Sequence, residues 1–397
     1  MPKSQTRRFA LLAAMFVGAF LAACATVKAP PVAVCPQCTV QIVPPSAKPM
    51  QVARWADLPG WSEDDLRAAW PAFMQSCLAL ASKPTWLLWR AACVEAKELA
   101  ANDNSTLHRF FESRFEPYLL TNPDGTTSGL VTGYYEPLLN GARQRSATFS
   151  QAVLGVPADL LDIELADLLP DLKNMRLRGR LQGNKVIPYY SRADIAAREA
   201  DYADRVLLWV DDAIELFFLQ IQGSGRVKLP DGSVVRIAYA DQNGHPYQSI
   251  GRVLIDRGEL KPEQASMQGI QAWARANPEK LNDVLNSNPS YVFFREVQSR
   301  ENEGPQGAMG VPLTAERSIA VDPRQVPLGA PVFLSTTQPN SSAPLRRLML
   351  AQDTGGAIRG VVRADLFWGF GAQAGSQAGK MKQQGQMWVL LPPGAAP

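Results

Sequence analysis

Apolar positions are spaced differently in the two parts of the chain, which predicts a helical beginning and a β-rich remainder. In the first part apolar residues recur at helical spacing, so helices are predicted over 86–101 and 105–116. Another helix is predicted from Ser62, which can cap an acidic first turn, toward Cys77. Proline lacks the amide hydrogen that a helix interior needs, so we expect Pro71 to kink or split this helix.

The later part of the chain has the short apolar runs and frequent turns that are typical of β-structure, beginning with a strand at 130–135. Short strands are predicted from about 150 to 245, interrupted by one helix with a capping box at Ser191–Asp194. The apolar run 214–222 is predicted to be a strand. Helices are predicted over 248–287, and strands with glycine-rich turns follow to the end. The pattern predicts an α+β protein that is mainly β.

The first 24 residues are typical of a bacterial lipoprotein signal. Basic residues precede the apolar run 9–20, whose 12 residues are too few for a stable membrane span. Small residues then lead to Cys24, which we expect to be lipidated once residues 1–23 are removed. The alternative is an ordinary signal peptide. Ala25 is not the aspartate of an inner-membrane retention signal, so an outer-membrane lipoprotein facing the periplasm is expected.

The cysteines beyond Cys24 are interpreted in the light of export to an oxidising compartment. Residues 24–51 are rich in proline and alanine and are predicted to be a tether. Within it, Cys35 and Cys38 form either a local disulfide or two idle thiols, because no redox-type fold pattern surrounds them. Cys77 and Cys93 flank two helix-like stretches, so a disulfide between them is predicted, with two buried thiols as the alternative.

Composition and charge exclude several kinds of function. The 40 Lys and Arg residues against 37 Asp and Glu give a net charge of +3, which does not favour a nucleic-acid partner. The chain has two histidines, His108 and His245, too few for a metal site of several histidines, and neither is assigned a role. We therefore expect no metal, no cofactor, and a chemistry that depends on carboxylates.

Three aspartates near the C-terminus stand in apolar or glycine-rich surroundings that predict strands and turns: Asp322, Asp353 and Asp365. Aspartate is a poor strand former, and a turn or cap is the ordinary explanation for each one. Asp365 differs because valines precede it and Leu366 follows it, and apolar surroundings raise the pKa of a carboxyl toward the range of a general acid. Asp353 would orient Asp365 or share a proton with it.

Four motifs in this order resemble the membrane-bound lytic murein transglycosylase A (MltA) family over roughly residues 52 to 391. The motifs are Thr132–Pro137, Gln220–Gly225, Asn243–Gly244 with Tyr247, and the three aspartates of a C-terminal three-aspartate (3D) domain.

The resemblance implies a double-psi β-barrel domain and a smaller inserted β-domain, with a substrate groove between them. The large domain is expected over 52–136 and 244–397, and the inserted domain over 137–243. The implied reaction cleaves the β-1,4 bond between N-acetylmuramic acid and N-acetylglucosamine without water and leaves a 1,6-anhydro end. By motif position Asp365 acts as acid and then as base, supported by Asp353 and Asp322.

Sugar binding is expected to combine flat aromatic faces with short polar side chains. Core packing remains the alternative for Tyr135 and Trp368, and a turn role remains the alternative for Gln222 and Ser224. Glu136 either tunes the site or caps a turn. The candidate substrate-binding residues are Thr132, Tyr134, Tyr135, Gln222, Gly223, Ser224 and Trp368, with Tyr247 as a further aromatic.

The sequence also leaves two other functions open. One is a peptidoglycan hydrolase that uses Asp365 together with Asp353 or Asp322. The other is a catalytically silent glycan-binding lipoprotein. The expected partners are the glycan strands of peptidoglycan and the outer membrane, and the protein is expected to be a monomer or to join a wall-remodelling complex.

Overall fold

The computed structural model describes residues 48–172, 175–298 and 303–395. The predicted signal peptide, the lipidation site Cys24 and the cysteines Cys35 and Cys38 lie outside the described residues. Within the described ranges, no helix has both the length and the apolar character that crossing a membrane requires.

The described residues form nine α-helices, three of which lie between residues 70 and 114. Pro71 lies in the first turn of the first helix, where the missing amide hydrogen has no helical partner to lose. The prediction of a helix that starts at Ser62 and is kinked at Pro71 is therefore wrong on both points. Short 3-10 turns precede the helix, and Pro71 lies in its first turn. The helices are α1 (Trp70–Leu80), α2 (Trp86–Glu98), α3 (Asn104–Arg114), α4 (Arg192–Ala197), α5 (Ala213–Gln222), α6 (Ile250–Asp256), α7 (Met267–Ala276), α8 (Pro278–Asn286) and α9 (Gly371–Ala378).

A disulfide joins Cys77 of α1 to Cys93 of α2, the pair expected from the sequence. Both cysteines are buried in the largest hydrophobic cluster, where the helices pack on the first sheet. Phe73 contributes to an aromatic group with Phe110 and Phe111 of α3, at ring-centroid distances of 5.7 and 5.2 Å. The helical layer is thus held by a covalent bond and by aromatic packing.

Seventeen strands are formed by the described residues, and they build three sheets. They are β1 (Met50–Val52), β2 (Glu116–Leu120), β3 (Gly129–Glu136), β4 (Leu138–Ala142), β5 (Gln151–Leu154), β6 (Leu161–Asp162), β7 (Arg178–Gln182), β8 (Lys185–Pro188), β9 (Val206–Val210), β10 (Ser224–Lys228), β11 (Val234–Gln242), β12 (Val292–Val297), β13 (Ser318–Ala320), β14 (Pro331–Thr337), β15 (Pro344–Asp353), β16 (Ala364–Phe370) and β17 (Lys382–Leu391).

The first sheet closes on itself. Its strand order is β1-β2-β17-β14-β15-β13-β16-β3, and a further pairing of β17 with β3 completes a ring of six strands. Closure leaves no free edge within that ring and fills its interior with side chains. Except for β3, its strands are buried along most of their length, as in β14, where Phe333 and Leu334 are inaccessible to solvent. The mixed α+β class predicted from the sequence is confirmed.

The second sheet has the order β12-β11-β10-β4-β9-β5, and β6, β7 and β8 form a separate small sheet. Helix α5 is buried between the second sheet and helices α6 to α8. Its Leu216 and Leu219 belong to the cluster on the sheet, whereas Phe217 and Phe218 belong to the cluster with the other helices.

The run 214–222, predicted to be a strand, is therefore a helix. Asp212 caps it by accepting hydrogen bonds from the amides of Ile214 and Glu215. Because α5 is covered on two sides, it lacks the polar positions that normally reveal helical spacing. A short, continuous apolar run cannot be assigned from periodicity alone.

The expected domain boundary at residue 244 falls inside the part of the chain that packs around the second sheet. Strand β12 pairs with β11, so this sheet includes residues up to Val297. Helices α6 to α8 share one hydrophobic cluster with α5. The turn at Asn243–Gly244 ends β11, but it does not return the chain to the first sheet.

Candidate active site

Asp365 is placed by strand register. Strand β16 runs parallel to β3 and puts Asp365 beside Thr132, while antiparallel pairing with β13 puts it opposite Ala320. The Thr132 hydroxyl donates a hydrogen bond from Oγ1 to Oδ1 of Asp365 at 2.6 Å. The carboxyl is half-buried, and no hydrogen bond to its Oδ2 is found among the described residues. One oxygen of Asp365 is therefore held, and the other remains open.

Burial raises the pKa of Asp365 to about 6. The hydrogen bond from Thr132 and the positive charge of Arg363 oppose this rise, and the negative charge of Asp353 adds to it. A carboxyl that titrates near neutral pH can both give and take a proton. This is the behaviour expected from the apolar neighbours of Asp365 in the sequence.

Asp353 lies at the end of β15 and accepts three hydrogen bonds. Its Oδ2 accepts from the Tyr134 hydroxyl at 2.8 Å, and its Oδ1 accepts from the amides of Ala308 and Thr354 at 2.8 and 2.9 Å. Burial raises the pKa of Asp353, and these donors act in the opposite direction. Because both oxygens are occupied, Asp353 is suited to fix the site and to add negative charge near Asp365.

Asp322 is held differently, as a buried ion. Its side chain is 1% exposed and receives two hydrogen bonds from the Arg324 guanidinium, at 2.9 and 2.6 Å. The amide of Gly360 donates to its Oδ2 at 3.0 Å. The hydrogen bond from Arg324 is the main reason that the pKa of Asp322 falls to about 2. Asp322 thus stays ionised and ties the loop before β16 to the segment after β13.

Gln222 and Gly223 connect the second sheet to this site. Gln222 ends α5, and its Oε1 accepts the amide hydrogen of Tyr135 in β3 at 3.0 Å. Gly223 has φ +78°, a left-handed conformation that ends the helix at low cost. Ser224 then begins β10. These residues join the two sheets beside β3, which is a structural role that the sequence leaves open as an alternative.

Two of the aromatic candidates are core residues. Tyr135 and Trp368 are 7% and 8% exposed and belong to the main hydrophobic cluster. Trp368 Nε1 donates to Met381 Sδ at 3.2 Å, and the ring lies against Gly133. Of the two alternatives for these residues, the structure supports core packing, because neither ring presents a face to solvent.

Tyr134 and Tyr247 remain accessible. Tyr134 is half-buried, lies in β3 two residues after Thr132, and packs against Phe367 at a centroid distance of 5.3 Å. Tyr247 is 48% exposed. Tyr134 is thus the aromatic candidate that contacts the aspartate cluster.

Two arginines near the aspartates have no counterpart among the residues predicted from the sequence. Arg363 donates from Nη2 to Thr132 Oγ1 at 2.9 Å. The sequence signal that could have identified Arg363 is its position two residues before Asp365, because alternate residues of an extended chain lie on the same face. Arg176 precedes β7, and its guanidinium carbon lies 5.5 Å from the centroid of the Tyr239 ring. Its positive charge opposes the rise in the pKa of Asp353. No local pattern points to Arg176, because a loop brings it there.

Glu136 at the end of β3 forms a buried ion cluster. It is 1% exposed and accepts hydrogen bonds from Arg226 of β10 and Arg236 of β11, each at 2.9 Å. Glu136 thus ties the first sheet to the second. This role differs from both roles expected from the sequence, which were to tune the site or to cap a turn. A cavity of about 320 Å³ lies beside it and is also lined by Phe367 and Phe370.

The three aspartates of the site have protein donors as partners. Among the described residues, no group of three or more His, Cys, Asp or Glu side chains has an arrangement that could hold a metal ion.

Comparison with known proteins relates this geometry to a family. A model of the MltA-specific insert domain matches residues 130–295, and a model of the 3D domain matches residues 317–391. The membrane-bound lytic murein transglycosylase A of Escherichia coli (strain K12) is 34% identical over 306 residues, which are 75% of this chain and 74% of that protein. The chain belongs to the membrane-bound lytic murein transglycosylase A family. The resemblance seen in the sequence motifs is confirmed.

Solved structures of the MltA family share the fold. MltA from Neisseria gonorrhoeae is 38% identical with a TM-score of 0.75, over 88% of this chain and 94% of that one. Escherichia coli MltA with bound chitohexaose is 26% identical with a TM-score of 0.66, over 88% of this chain and 96% of that one. The 3D-domain match contains Asp322, Asp353 and Asp365, and the insert-domain match begins within β3 and ends within β12.

Proposed function

We propose that this protein is a lytic transglycosylase that cleaves the β-1,4 bond between N-acetylmuramic acid and N-acetylglucosamine in peptidoglycan and leaves 1,6-anhydro ends. The observation that carries the proposal is the open Oδ2 of Asp365, on a carboxyl whose pKa is raised to about 6. Family membership supplies the reaction class.

Asp365 acts first as an acid and then as a base. In its protonated form it donates to the glycosidic oxygen as the bond from that oxygen to C1 breaks, and positive charge develops on the muramic ring. The muramic O6 then bonds to C1 and gives its proton to the Asp365 carboxylate. The carboxyl ends the cycle protonated, as it began, and no water is consumed.

One carboxyl suffices because the nucleophile belongs to the substrate. An intramolecular attack by a well-placed group can lower a barrier by about 7–11 kcal/mol. Most glycoside hydrolases use a second free carboxylate to activate water or to form a covalent intermediate. Asp353 accepts from three donors and Asp322 is paired with Arg324, so neither is free for that work. The structure therefore favours transglycosylation over hydrolysis.

The proposed substrate-binding surface lies around Thr132, Tyr134, Gln222, Gly223 and Ser224. The hydroxyl and amide groups suit the hydroxyl and N-acetyl groups of a glycan, and the left-handed Gly223 lets the sugar approach the backbone. The chitohexaose complex of the Escherichia coli relative supports an extended sugar chain as the ligand.

The proposed location is the periplasmic face of the outer membrane, with a lipid on Cys24. The curated relatives are named as membrane-bound, which supports attachment to a membrane. The protein is proposed to act as a monomer or within a wall-remodelling complex, with peptidoglycan strands as its substrate.

Mass spectrometry of the muropeptides released from purified peptidoglycan tests the function. The full-length protein in detergent is compared with Asp365→Asn and with Asp204→Asn, a matched change at an exposed aspartate. We expect products one water lighter than hydrolytic ones from the wild type and from Asp204→Asn. Asp365→Asn should release none while still sedimenting with peptidoglycan. Reducing ends would indicate a hydrolase, and binding without any product would indicate a silent glycan binder.

A further inference from the structure

Arg363 lies immediately before β16, and its guanidinium is held by several hydrogen bonds. Its Nη1 donates to the carbonyl oxygen of Leu130 at 3.3 Å and also to that of Ala364, so the guanidinium bridges β3 and β16. Its Nη2 donates to Oγ1 of Thr132 at 2.9 Å. The side chain is half-buried, and burial lowers its pKa while the charge of Asp365 opposes that effect. Arg363 thus contacts Asp365 through Thr132.

The chemistry of the guanidinium determines the direction of the next hydrogen bond. A guanidinium has donors and no acceptor, so Oγ1 of Thr132 must accept from Arg363. The hydroxyl has a single proton, and Oδ1 of Asp365 lies 2.6 Å away to receive it. The sequence of donors therefore runs from Arg363 to Thr132 and from Thr132 to Asp365.

We propose that Arg363 is a positioning residue that commits the Thr132 hydroxyl to Oδ1 of Asp365 and thereby assigns the transferable proton to Oδ2. This inference deepens the proposed function and rests on it for its catalytic meaning. A proton on Oδ1 would have to be donated to Thr132 Oγ1, an oxygen that already accepts from a cation. No group among the described residues forms a hydrogen bond with Oδ2, so this oxygen can carry a proton and meet a ligand.

The arrangement has a consequence for turnover. Thr132 donates to Oδ1 whether Oδ2 is protonated or not, so the carboxyl keeps its orientation in both halves of the reaction. The same Oδ2 can give a proton to the glycosidic oxygen and then take one from O6. A carboxyl held in this way avoids a reorganisation between the two steps.

Other charged and titratable groups lie on the elements around Asp365. Tyr134 follows Thr132 in β3, and Asp353 ends β15. Lys382 of β17 is the register partner of Thr132 on its other side, and Arg176 acts on Asp353. Strand β13 presents no titratable side chain, since it reads Ser-Ile-Ala. Only Arg363 is linked to Asp365 through the Thr132 hydroxyl within the described part of the chain.

A double-mutant cycle on the full-length protein tests the link. The variants are Arg363→Gln, Thr132→Val and the double change, with Thr132→Ser and Arg363→Lys as conservative partners. Arg257→Gln, a surface arginine paired with Asp283, is the matched control. The measured quantities are kcat and KM for release of anhydromuropeptides across pH, together with Tm.

We expect Arg363→Gln to lower kcat on the acid plateau about tenfold, the effect of one hydrogen bond, with little change in KM. The alkaline limb should move to higher pH, because a donor and a cation that favour the carboxylate are both weakened. Arg363→Lys should restore part of kcat, and Thr132→Ser, which keeps the hydroxyl, should recover part of the kcat that Thr132→Val loses. In the Thr132→Val background, Arg363→Gln should change the plateau kcat by less than about twofold.

Two results would overturn the inference. One is a wild-type plateau and pH limb in Arg363→Gln. The other is the same tenfold loss in the presence and absence of the Thr132 hydroxyl, which would show that Arg363 acts independently. If Arg363→Gln does not fold, the same cycle with Arg363→Lys decides the question.

A titration of the Asp365 carboxyl by carbon NMR separates this inference from the proposed function. The midpoint should rise in Arg363→Gln, and the rise should be smaller when Thr132 is valine. This measurement needs no turnover, so it tests the link even if the wild type releases no anhydro ends. Anhydro ends from the wild type establish the function whatever the NMR result shows.

Discussion

Tyr134 donates a hydrogen bond to Asp353 at 2.8 Å across 219 residues of sequence, and this contact joins β3 to the end of β15. Its ring also packs against Phe367, so one side chain both satisfies the half-buried Asp353 carboxylate and covers the strand that carries Asp365. The pKa of the Tyr134 phenol is raised well above its usual value by burial and by Asp353, so it remains a donor at every physiological pH.

Tyr134→Phe removes this donor and leaves Asp353 with two amide donors. We expect a loss of about 1–2 kcal/mol in the free energy of unfolding, as for other buried hydrogen bonds. The charge of Asp353 should then be less well stabilised, and kcat should fall about tenfold. Denaturant unfolding and muropeptide release measure the two effects. An unchanged kcat would mean that the orientation of Asp353 does not matter for turnover.

Asp365→Asn should make the protein more stable at neutral pH. A carboxyl whose pKa is raised on folding favours the folded state below its unfolded value, near 3.9, and this contribution is lost as pH rises through about 6. Ionisation of Asp365 lowers the free energy of unfolding by about 2–3 kcal/mol. Thermal unfolding of the variant and wild type should therefore agree near pH 4 and diverge at about pH 8. A variant that is less stable than the wild type at the higher pH would contradict the raised pKa.

Asp322→Asn should have the opposite effect on stability. The pKa of Asp322 is lowered to about 2, so its contribution is present above about pH 4 and is lost as pH falls through about 2. Removing the buried charge leaves Arg324 and the Gly360 amide with weaker acceptors, at a cost of about 1–3 kcal/mol. We expect a lower Tm at neutral pH and residual activity, in contrast to Asp365→Asn. Complete loss of turnover in a folded variant would place Asp322 in the chemistry itself.

Loss of the Cys77–Cys93 disulfide should reduce stability without altering the chemistry. The two cysteines are 16 positions apart, and a bond that closes a loop of this size contributes about 3 kcal/mol. A variant with both cysteines changed to alanine should unfold at lower denaturant concentration and keep its kcat at room temperature. If kcat instead fell at a temperature where the variant is folded, the disulfide between α1 and α2 would contribute to the geometry of the site.

The aspartate chemistry is largely predictable from local sequence. Asp365 lies among apolar residues, and this neighbourhood alone predicts a carboxyl with a raised pKa. The order of the motifs and the three aspartates also indicates the family. These features depend on residues that are close in sequence, so they can be recognised without the tertiary structure.

Other features depend on packing and cannot be assigned in that way. The run that forms α5 has the pattern of a strand because both of its faces are covered. The second sheet extends past residue 244 because β12 pairs with β11 after α6 to α8 have packed on α5. Tyr135 and Trp368 share a motif or a strand with site residues, yet their rings point into the core. The side of a strand that faces solvent is set by the neighbouring strands and not by the motif.

Residue type and near neighbours were therefore enough to indicate the candidate acid and the mixed α+β composition, and the order of the motifs indicated the family, whose resemblance implied the reaction class. The side chains that hold this acid are selected instead by contacts between distant segments. Register places Thr132 beside Asp365 across 233 residues, and the parallel pairing of β3 with β16 brings Arg363 to the same hydroxyl. Such contacts could not be anticipated from the linear chain, because the register of two distant strands is set by the packing of their faces and leaves no local signal in either one.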